Sequence, residues 1–184
     1  MEPKLCLSLS GEIIDTKEKW EKYRREELRY LLEHYAYGHR PKEIPDKLSF
    51  EIVEQNLLGS LKYKRININT DGFVFPVRVY LPVSNKPVPC FVYFMHHAQE
   101  LDSDIDNTPN NLYVPIDEIC ARGYAVAVIY STDIYADDKN LHTYDEGIFT
   151  VYGPTPDKRR DTDWAAISAW AFCASRVADY LSTD

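Results

Sequence analysis

Two short apolar runs constrain the fold of this 184-residue chain more than any other feature. Residues Cys90–Met95 read Cys-Phe-Val-Tyr-Phe-Met, and residues 124–130 read Tyr-Ala-Val-Ala-Val-Ile-Tyr. A short uninterrupted run of aromatic and β-branched residues predicts a strand that is buried on both faces, as in a parallel sheet. Residues 114–121 predict a short helix between them, so the order is strand, helix, strand. The sequence therefore predicts an α/β fold.

The segment before the first apolar run predicts antiparallel strands. Residues 50–53 and 63–68 flank a turn at Gly59-Ser60, and Asp71-Gly72 precedes a further alternating segment, residues 73–81. Alternation of apolar and polar residues is typical of a strand with one solvated face. We therefore expect these strands to lead by short turns into the parallel part of the sheet.

The first 47 residues predict a helical arm, and residues 48–184 the sheet with its helices, within a single domain. Thr16 is suited to the N-cap of an amphipathic helix, and Gly38 to its C-terminal end. Apolar residues recur at helical spacing between these two positions: Trp20, Tyr23, Leu28, Leu31, Leu32 and Tyr35. We expect this helix to pack on the later sheet.

The last element predicted is a helix that ends near Leu181, with Asp161 or Thr162 as its cap and Asp163 in its first turn. It carries two apolar stripes, one of Trp164, Ile167, Ala171, Ala174, Ala178 and Leu181, the other of Ala166, Trp170, Cys173, Val177 and Tyr180. Such a helix is expected to be buried by the sheet and by something else. A strand is expected to follow it, and none does before Asp184, so we expect an unfinished sheet.

Composition excludes several classes of function. The formal net charge is −8, which argues against nucleic acid as a partner. No apolar run approaches the ~20 residues that span a bilayer, and no signal peptide is visible, so the location is left open. The four cysteines are widely spaced, which favours buried free thiols over a metal or redox site. We expect neither a metal nor a cofactor.

The search for a nucleophile finds no G-x-S-x-G, no G-x-G-x-x-G and no Walker sequence. His96 and His97 follow the first buried strand, where open parallel sheets bind ligands. They are either catalytic or an ordinary loop pair. Asp133 and Tyr135 follow the second buried strand and could contact a polar substrate; alternatively, Asp133 caps local backbone amides.

Three carboxylates in the intervening loop have the spacing that opens a calcium loop: Asp102, Asp104 and Asp106. The pattern then fails, because Asn107 stands where Gly is wanted and Tyr113 where a bidentate Glu is wanted. A solvated acidic loop is the expected reading.

Several segments together resemble the bacterial carbohydrate esterases related to glucuronoyl esterases and acetyl xylan esterases. The segments are Trp20 with residues 24–28, Tyr37-Gly38 and Pro41, residues 116–127, residues 133–137, residues 163–167, residues 169–171 and residues 175–181. The resemblance runs from about Leu5 to the end of the chain. It implies the first half of an α/β-hydrolase fold that stops before the nucleophile strand.

The resemblance also implies a serine-type hydrolase of glucuronoyl or acetyl esters of plant polysaccharide. In the family the nucleophilic Ser, the acid and the His lie beyond the final helix, so this chain is expected to hold no catalytic residue and to be inactive alone. Met95, His96 and His97 map onto the oxyanion-side rim of the site, although the family usually shows an Asn- or Gly-containing stretch there. Asp133 and Tyr135 are the predicted substrate-side loop.

Two expectations follow for partners. Without its neighbour, the strand at residues 90–94 would present an apolar edge, so we expect self-association there or completion by a C-terminal half. The alternative is a non-catalytic hydrolase remnant that binds carbohydrate or a partner protein, with Tyr144, Phe149 and Tyr152 facing the ligand.

Overall fold

The computed structural model describes residues 6–41, 45–96, 114–136 and 143–184. Within these ranges a five-stranded sheet has the order β1-β2-β3-β5-β4. The strands are β1 (Leu48–Leu58), β2 (Leu61–Thr70), β3 (Phe73–Pro82), β4 (Cys90–Met95) and β5 (Ala125–Tyr130). The helices are α1 (Lys17–Lys19), α2 (Arg25–Leu32), α3 (Ile116–Ala121), α4 (Phe149–Tyr152) and α5 (Ala166–Leu181). None of the helices described could cross a bilayer.

The predicted mixed sheet is confirmed. β1, β2 and β3 form an antiparallel meander, with the turns at Gly59-Ser60 and Asp71-Gly72 where the sequence predicts them. β5 pairs antiparallel with β3 and parallel with β4. The antiparallel and parallel parts of the sheet therefore meet on β5.

The two apolar runs differ in burial. All six residues of β5 are buried, as an uninterrupted apolar run predicts. β4 lies at the edge of the sheet, and there Phe91 is 55% exposed and Val92 38% exposed. Among the described residues β5 is the neighbour of β4, and the side chains on both faces of β4 are only partly covered. The expectation that β4 is buried on both faces is therefore wrong for this chain. The expected apolar edge is present.

The core lies on both faces of the sheet. On one face α5 packs on the inward residues of β2 and β3, among them Ile66, Phe75 and Val77. On the other face α3 contributes Ile116 and Cys120. α3 is the crossover helix between the parallel strands β4 and β5, and α5 lies on the opposite face of the sheet.

The arm helix begins as predicted but does not pack as predicted. Thr16 Oγ1 accepts a hydrogen bond from the backbone N–H of Lys19 at 3.2 Å, which confirms the cap. α2 is flanked by π-helical turns, at Trp20–Arg24 and Glu33–Tyr37. None of the residues of α2 is buried, so the expectation that its apolar side packs on the sheet is wrong.

The arm is instead joined to the start of α5. The backbone N–H of His39 donates to Thr162 O at 2.8 Å, and Ser168 Oγ donates to Tyr37 O at 2.8 Å. Gly38 has φ +76°, and a Cβ there would collide with the backbone of Asp163 and Trp164. Only glycine combines this backbone conformation with so close an approach.

The predicted cap of α5 is also wrong. The helix begins at Ala166 with Ala165 as N-cap and no side-chain cap. The carboxylate of Asp163 accepts from the backbone N–H of Arg160 at 2.7 Å and forms an ion pair with its guanidinium at 3.1 Å. The backbone of Asp163 also forms a bridge with His39, so Asp163 lies before the helix and not in its first turn.

We predict that Gly38→Ala lowers the free energy of unfolding by about 2 kcal/mol or more, since it adds a collision to the ~1–2 kcal/mol cost of a left-handed residue. Gly59→Ala is the matched control, because Gly59 has φ +59° but open space around it. Urea unfolding measures both. Equal losses in the two variants would contradict the close approach at Gly38.

Candidate functional site

The candidate site lies at the carboxyl ends of β4 and β5. The strands are parallel and in register, with Met95 opposite Tyr130, so the loops that follow them begin side by side. Ser131 Oγ is buried and donates to Met95 O at 3.3 Å, which ties the two strand ends together. Crevices at the carboxyl ends of parallel strands are where open α/β sheets bind ligands.

His96 is exposed and lies against α5. Its ring meets the ring of Trp170 edge to face, with centroids 4.9 Å apart. Trp170 Nε1 donates to Tyr135 O at 3.1 Å, so one indole contacts both loops of the site. His97 lies outside the described residues, as do Asp102, Asp104 and Asp106. The predicted place of His96 and His97 on the oxyanion-side rim stays a prediction.

Asp133 faces a cation, Arg78, that does not stand out in the sequence. Its Oδ2 lies 3.5 Å from Nη1 of Arg78, and that guanidinium lies 4.4 Å from the centroid of the Tyr130 ring. Arg78 is in β3, opposite Val128 of β5. Apolar and polar residues alternate at positions 73–81, and this alternation places Arg78 and Tyr80 on the same face of β3. That pattern is the signal in the sequence that could have indicated Arg78. Contact of Asp133 with a substrate stays a prediction.

Tyr135 is only 2% exposed. Its ring stacks on Tyr144 with centroids 5.4 Å apart and meets Phe149 edge to face at 4.9 Å. Its hydroxyl accepts from the backbone N–H of Tyr144 at 3.4 Å, and burial raises its pKa. The side chain therefore packs in the core, a position that does not favour its predicted contact with a substrate.

The neighbouring aromatic residues also pack inward. Phe149 is 2% exposed, and the guanidinium of Arg159 lies 3.5 Å from the centroid of the Tyr144 ring. The Tyr152 hydroxyl donates to Asp71 Oδ2 at 2.7 Å and lies 2.5 Å from Thr70 Oγ1. The expectation that Tyr144, Phe149 and Tyr152 face a ligand is wrong for Phe149, and the other two are half-buried.

The described residues do not form a nucleophile–base pair, since none of their serines hydrogen-bonds to a histidine. Ser131 and Ser168 donate to backbone carbonyls. The cysteines of the described ranges are free thiols. Cys6 is exposed, contrary to expectation, and burial raises the pKa of Cys90 and of Cys120 to about 11. In the same ranges no group of three His, Cys, Asp or Glu residues could hold a metal.

The sheet is mixed, has helices on both faces and directs the loops at the carboxyl ends of its parallel strands to one edge. This arrangement is part of an α/β-hydrolase fold. A comparison with protein-family models finds no match. The chain does match curated proteins and solved structures, and the relatives named below are esterases.

The chain is similar to a carbohydrate esterase from an unknown prokaryotic organism, with 26% identity over 99% of this chain and 49% of that protein. A glucuronoyl esterase from Teredinibacter turnerae is 27% identical over 99% of the chain, with a TM-score of 0.75. A glucuronoyl esterase from Solibacter usitatus shares the fold with a TM-score of 0.84 at 24% identity.

The resemblance to the glucuronoyl esterase type of carbohydrate esterase is therefore confirmed. The chain spans about half the length of the relatives that it matches, with 49% of the first protein, 47% of the second and 54% of the third covered. This share agrees with the expected N-terminal half.

We predict that Trp170→Phe lowers the free energy of unfolding by about 1–3 kcal/mol, because it leaves the buried Tyr135 carbonyl without its donor. Trp20→Phe is the matched control, since Trp20 is 37% exposed and should change stability by no more than about 0.5 kcal/mol. Urea unfolding compares the two. A Trp170→Phe variant as stable as the control would show that the indole does not join the two loops.

We predict that stability falls as the pH rises from 10 toward 12 and falls less in Tyr152→Phe. Burial raises the pKa of Tyr152 from 10.0 to about 12. The neutral phenol is thus favoured by folding, and its contribution is complete below pH 10 and lost as the pH passes about 12. Unfolding curves of both proteins at a series of pH values measure the difference. Parallel pH profiles would contradict the assigned environment.

Proposed function

We propose that the chain is the N-terminal part of a serine-type hydrolase of carbohydrate esters, with glucuronoyl or acetyl esters of plant polysaccharide as substrates. The names of the relatives support the substrate class, and the shared fold supports the position of the site. The half-length match supports the view that a second stretch of polypeptide completes the enzyme.

The single observation that carries the proposal is the open edge at β4. Phe91 and Val92 point to opposite faces of the sheet and are both partly exposed, so the sheet is apolar on each face at this edge. Such an edge fits one more strand with helices on both sides. A parallel strand there would bring its own carboxyl end beside Met95 and His96.

The chemistry divides between the two parts. Ester hydrolysis of this type needs a Ser nucleophile, a His that takes its proton, an acid that orients the His, and donors that stabilise the oxyanion. We assign all three triad members to the completing part. Met95, His96 and His97 would form the oxyanion-side rim, and Asp133 the substrate side. The isolated chain would then be inactive.

The experiment measures hydrolysis of chromogenic acetyl and glucuronoyl esters by this chain, alone and with the unmatched part of the Solibacter usitatus esterase. We predict no turnover by the chain alone and turnover by the mixture. A glycan-binding assay on the chain runs alongside, because binding without any turnover favours the non-catalytic alternative. Turnover by the chain alone would contradict its proposed inactivity.

We further predict that Phe91→Lys prevents association at the β4 edge, whether with the added part or with a second copy of the chain, because a lysine on an edge strand opposes strand addition. Leu57→Lys is the matched control, since Leu57 is 68% exposed on β1, the opposite edge strand. Sedimentation velocity measures both. An equal effect of the two substitutions would place the association elsewhere.

A further inference from the structure

Tyr144 has a backbone conformation that a tyrosine rarely adopts. Its φ is +52°, and Asp71 is the other non-glycine residue with a positive φ among those described. The left-handed region is unfavourable for a bulky side chain, so it persists only where the surrounding contacts hold it. Because such strain is concentrated at functional sites, the contacts of Tyr144 indicate what the loop after β5 is arranged to do.

The guanidinium of Arg159 holds the Tyr144 ring. It lies 3.5 Å from the centroid of that ring and 5.4 Å from the centroid of Phe149. Its Nη2 donates to the backbone carbonyl of Asp163 at 3.4 Å and to that of Trp164. A planar guanidinium stacks on a ring and donates within its own plane at the same time, which an ammonium cannot do. Arg159 therefore joins the loop after β5 to the backbone just before α5.

This position is a costly one for a cation. Nη1 of Arg159 is buried and has no hydrogen-bond partner in the part of the chain that the structure describes. Burial of a charged group lowers stability unless other contacts compensate, here the ring and the two carbonyls. The adjacent Arg160, in contrast, has a side chain that is 79% exposed and pairs with Asp163. Of these two neighbouring arginines, only Arg159 packs against the loop.

Tyr144 in turn holds Tyr135. The two rings are nearly parallel, at 7°, and the Tyr135 hydroxyl accepts from the backbone N–H of Tyr144. The loop closes on the same place at Gly147, where a Cβ would collide with the carbonyl of Ile134. That carbonyl accepts from the backbone N–H of Ile148 at 3.1 Å. Residues 144–148 are therefore closed against residues 134–135.

Tyr135 connects the two sides of the candidate site. Asp133, on the predicted substrate side, precedes it by two residues in the same loop. The carbonyl of Tyr135 accepts from Trp170 Nε1, and the Trp170 ring contacts His96 on the predicted oxyanion-side rim. A shift of the Tyr135 backbone would therefore move groups on both sides of the site.

We propose that Arg159 is a positioning residue of the candidate site, which acts through the Tyr144 ring to hold Tyr135 and so fixes Asp133 relative to His96. The inference rests on the proposed function for what the site does, whereas the contacts themselves do not depend on it. Arg159 touches neither side of the site directly. Its role needs both the stack and the two in-plane donors, so lysine cannot replace it.

Hydrogen exchange of the Trp170 indole N–H in this chain tests the proposal, because that group donates to the Tyr135 carbonyl. We expect Arg159→Lys to speed this exchange about tenfold or more and to leave the β5 amides within about twofold. Arg160→Lys is the matched control and should change neither. Unchanged indole exchange in Arg159→Lys would overturn the inference. An equal acceleration of the β5 amides would also overturn it, since Arg159 would then contribute only to global stability.

Tyr144→Leu tests the route through the ring. We expect it to match Arg159→Lys, and we expect the double variant to exchange no faster than either, because both changes remove the same contact. Additive accelerations would show that Arg159 acts elsewhere. Circular dichroism checks folding. If Arg159→Lys does not fold, Tyr144→Phe is compared with Tyr144→Leu: only the first should keep the indole protected, and equal protection would overturn the inference.

Turnover separates this inference from the proposed function. In the mixture with the unmatched part of the Solibacter usitatus esterase, we expect Arg159→Lys to lower kcat/KM about tenfold and Arg160→Lys to leave it within about twofold. If the mixture with the parent chain has no turnover, the proposed function is wrong, and the exchange rates alone decide whether Arg159 holds the loops. If the mixture is active and Arg159→Lys equals Arg160→Lys, the proposed function stands and Arg159 does not position the site.

Discussion

The pairing of β5 with two different neighbours is the interaction on which the rest of the structure depends. β5 joins the antiparallel meander through β3 and the parallel strand β4 through in-register pairs from Cys90–Ala125 to Met95–Tyr130. All six of its side chains are buried, and they contribute to the core on both faces of the sheet. Because β4 and β5 run in the same direction, their loops meet at one edge, and the candidate site follows from that pairing.

The sheet could be predicted from the sequence because the pattern of apolar and polar residues within each short segment determined its strands and turns. The apolar runs, the alternating strands and the turn residues specified the elements, and the order strand, helix, strand specified parallel pairing. The cap of α5 could not be predicted, because a contact distant in sequence decides it. Gly38 lies against the backbone of Asp163, His39 forms a backbone bridge with it, and the helix begins at Ala166.

The sequence predicted where the candidate site lies better than it predicted which residues form it. His96 and Asp133 follow strand ends, and this alone placed them at the carboxyl edge. Arg78 and Trp170 were missed because they come from β3 and α5, and only tertiary packing brings them to the loops. Tyr135 was expected to contact a polar substrate, but it stacks on Tyr144 in the core. Tyrosine has a large apolar ring and a polar hydroxyl group, so its presence in a sequence does not indicate whether it lies in the core or at the surface.

β4 is an edge of the described sheet, and we propose that one further strand completes it. Native-state hydrogen exchange tests it most directly, with β5 as the internal reference because it has neighbours on both sides. In a monomer of the isolated chain, we predict fast exchange of those β4 amides that do not bond to β5. Addition of the unmatched part of the Solibacter usitatus esterase should slow them toward the rates of β5. Exchange at β4 as slow as at β5 in the isolated monomer, or unchanged on addition of a part that binds, would contradict the claim.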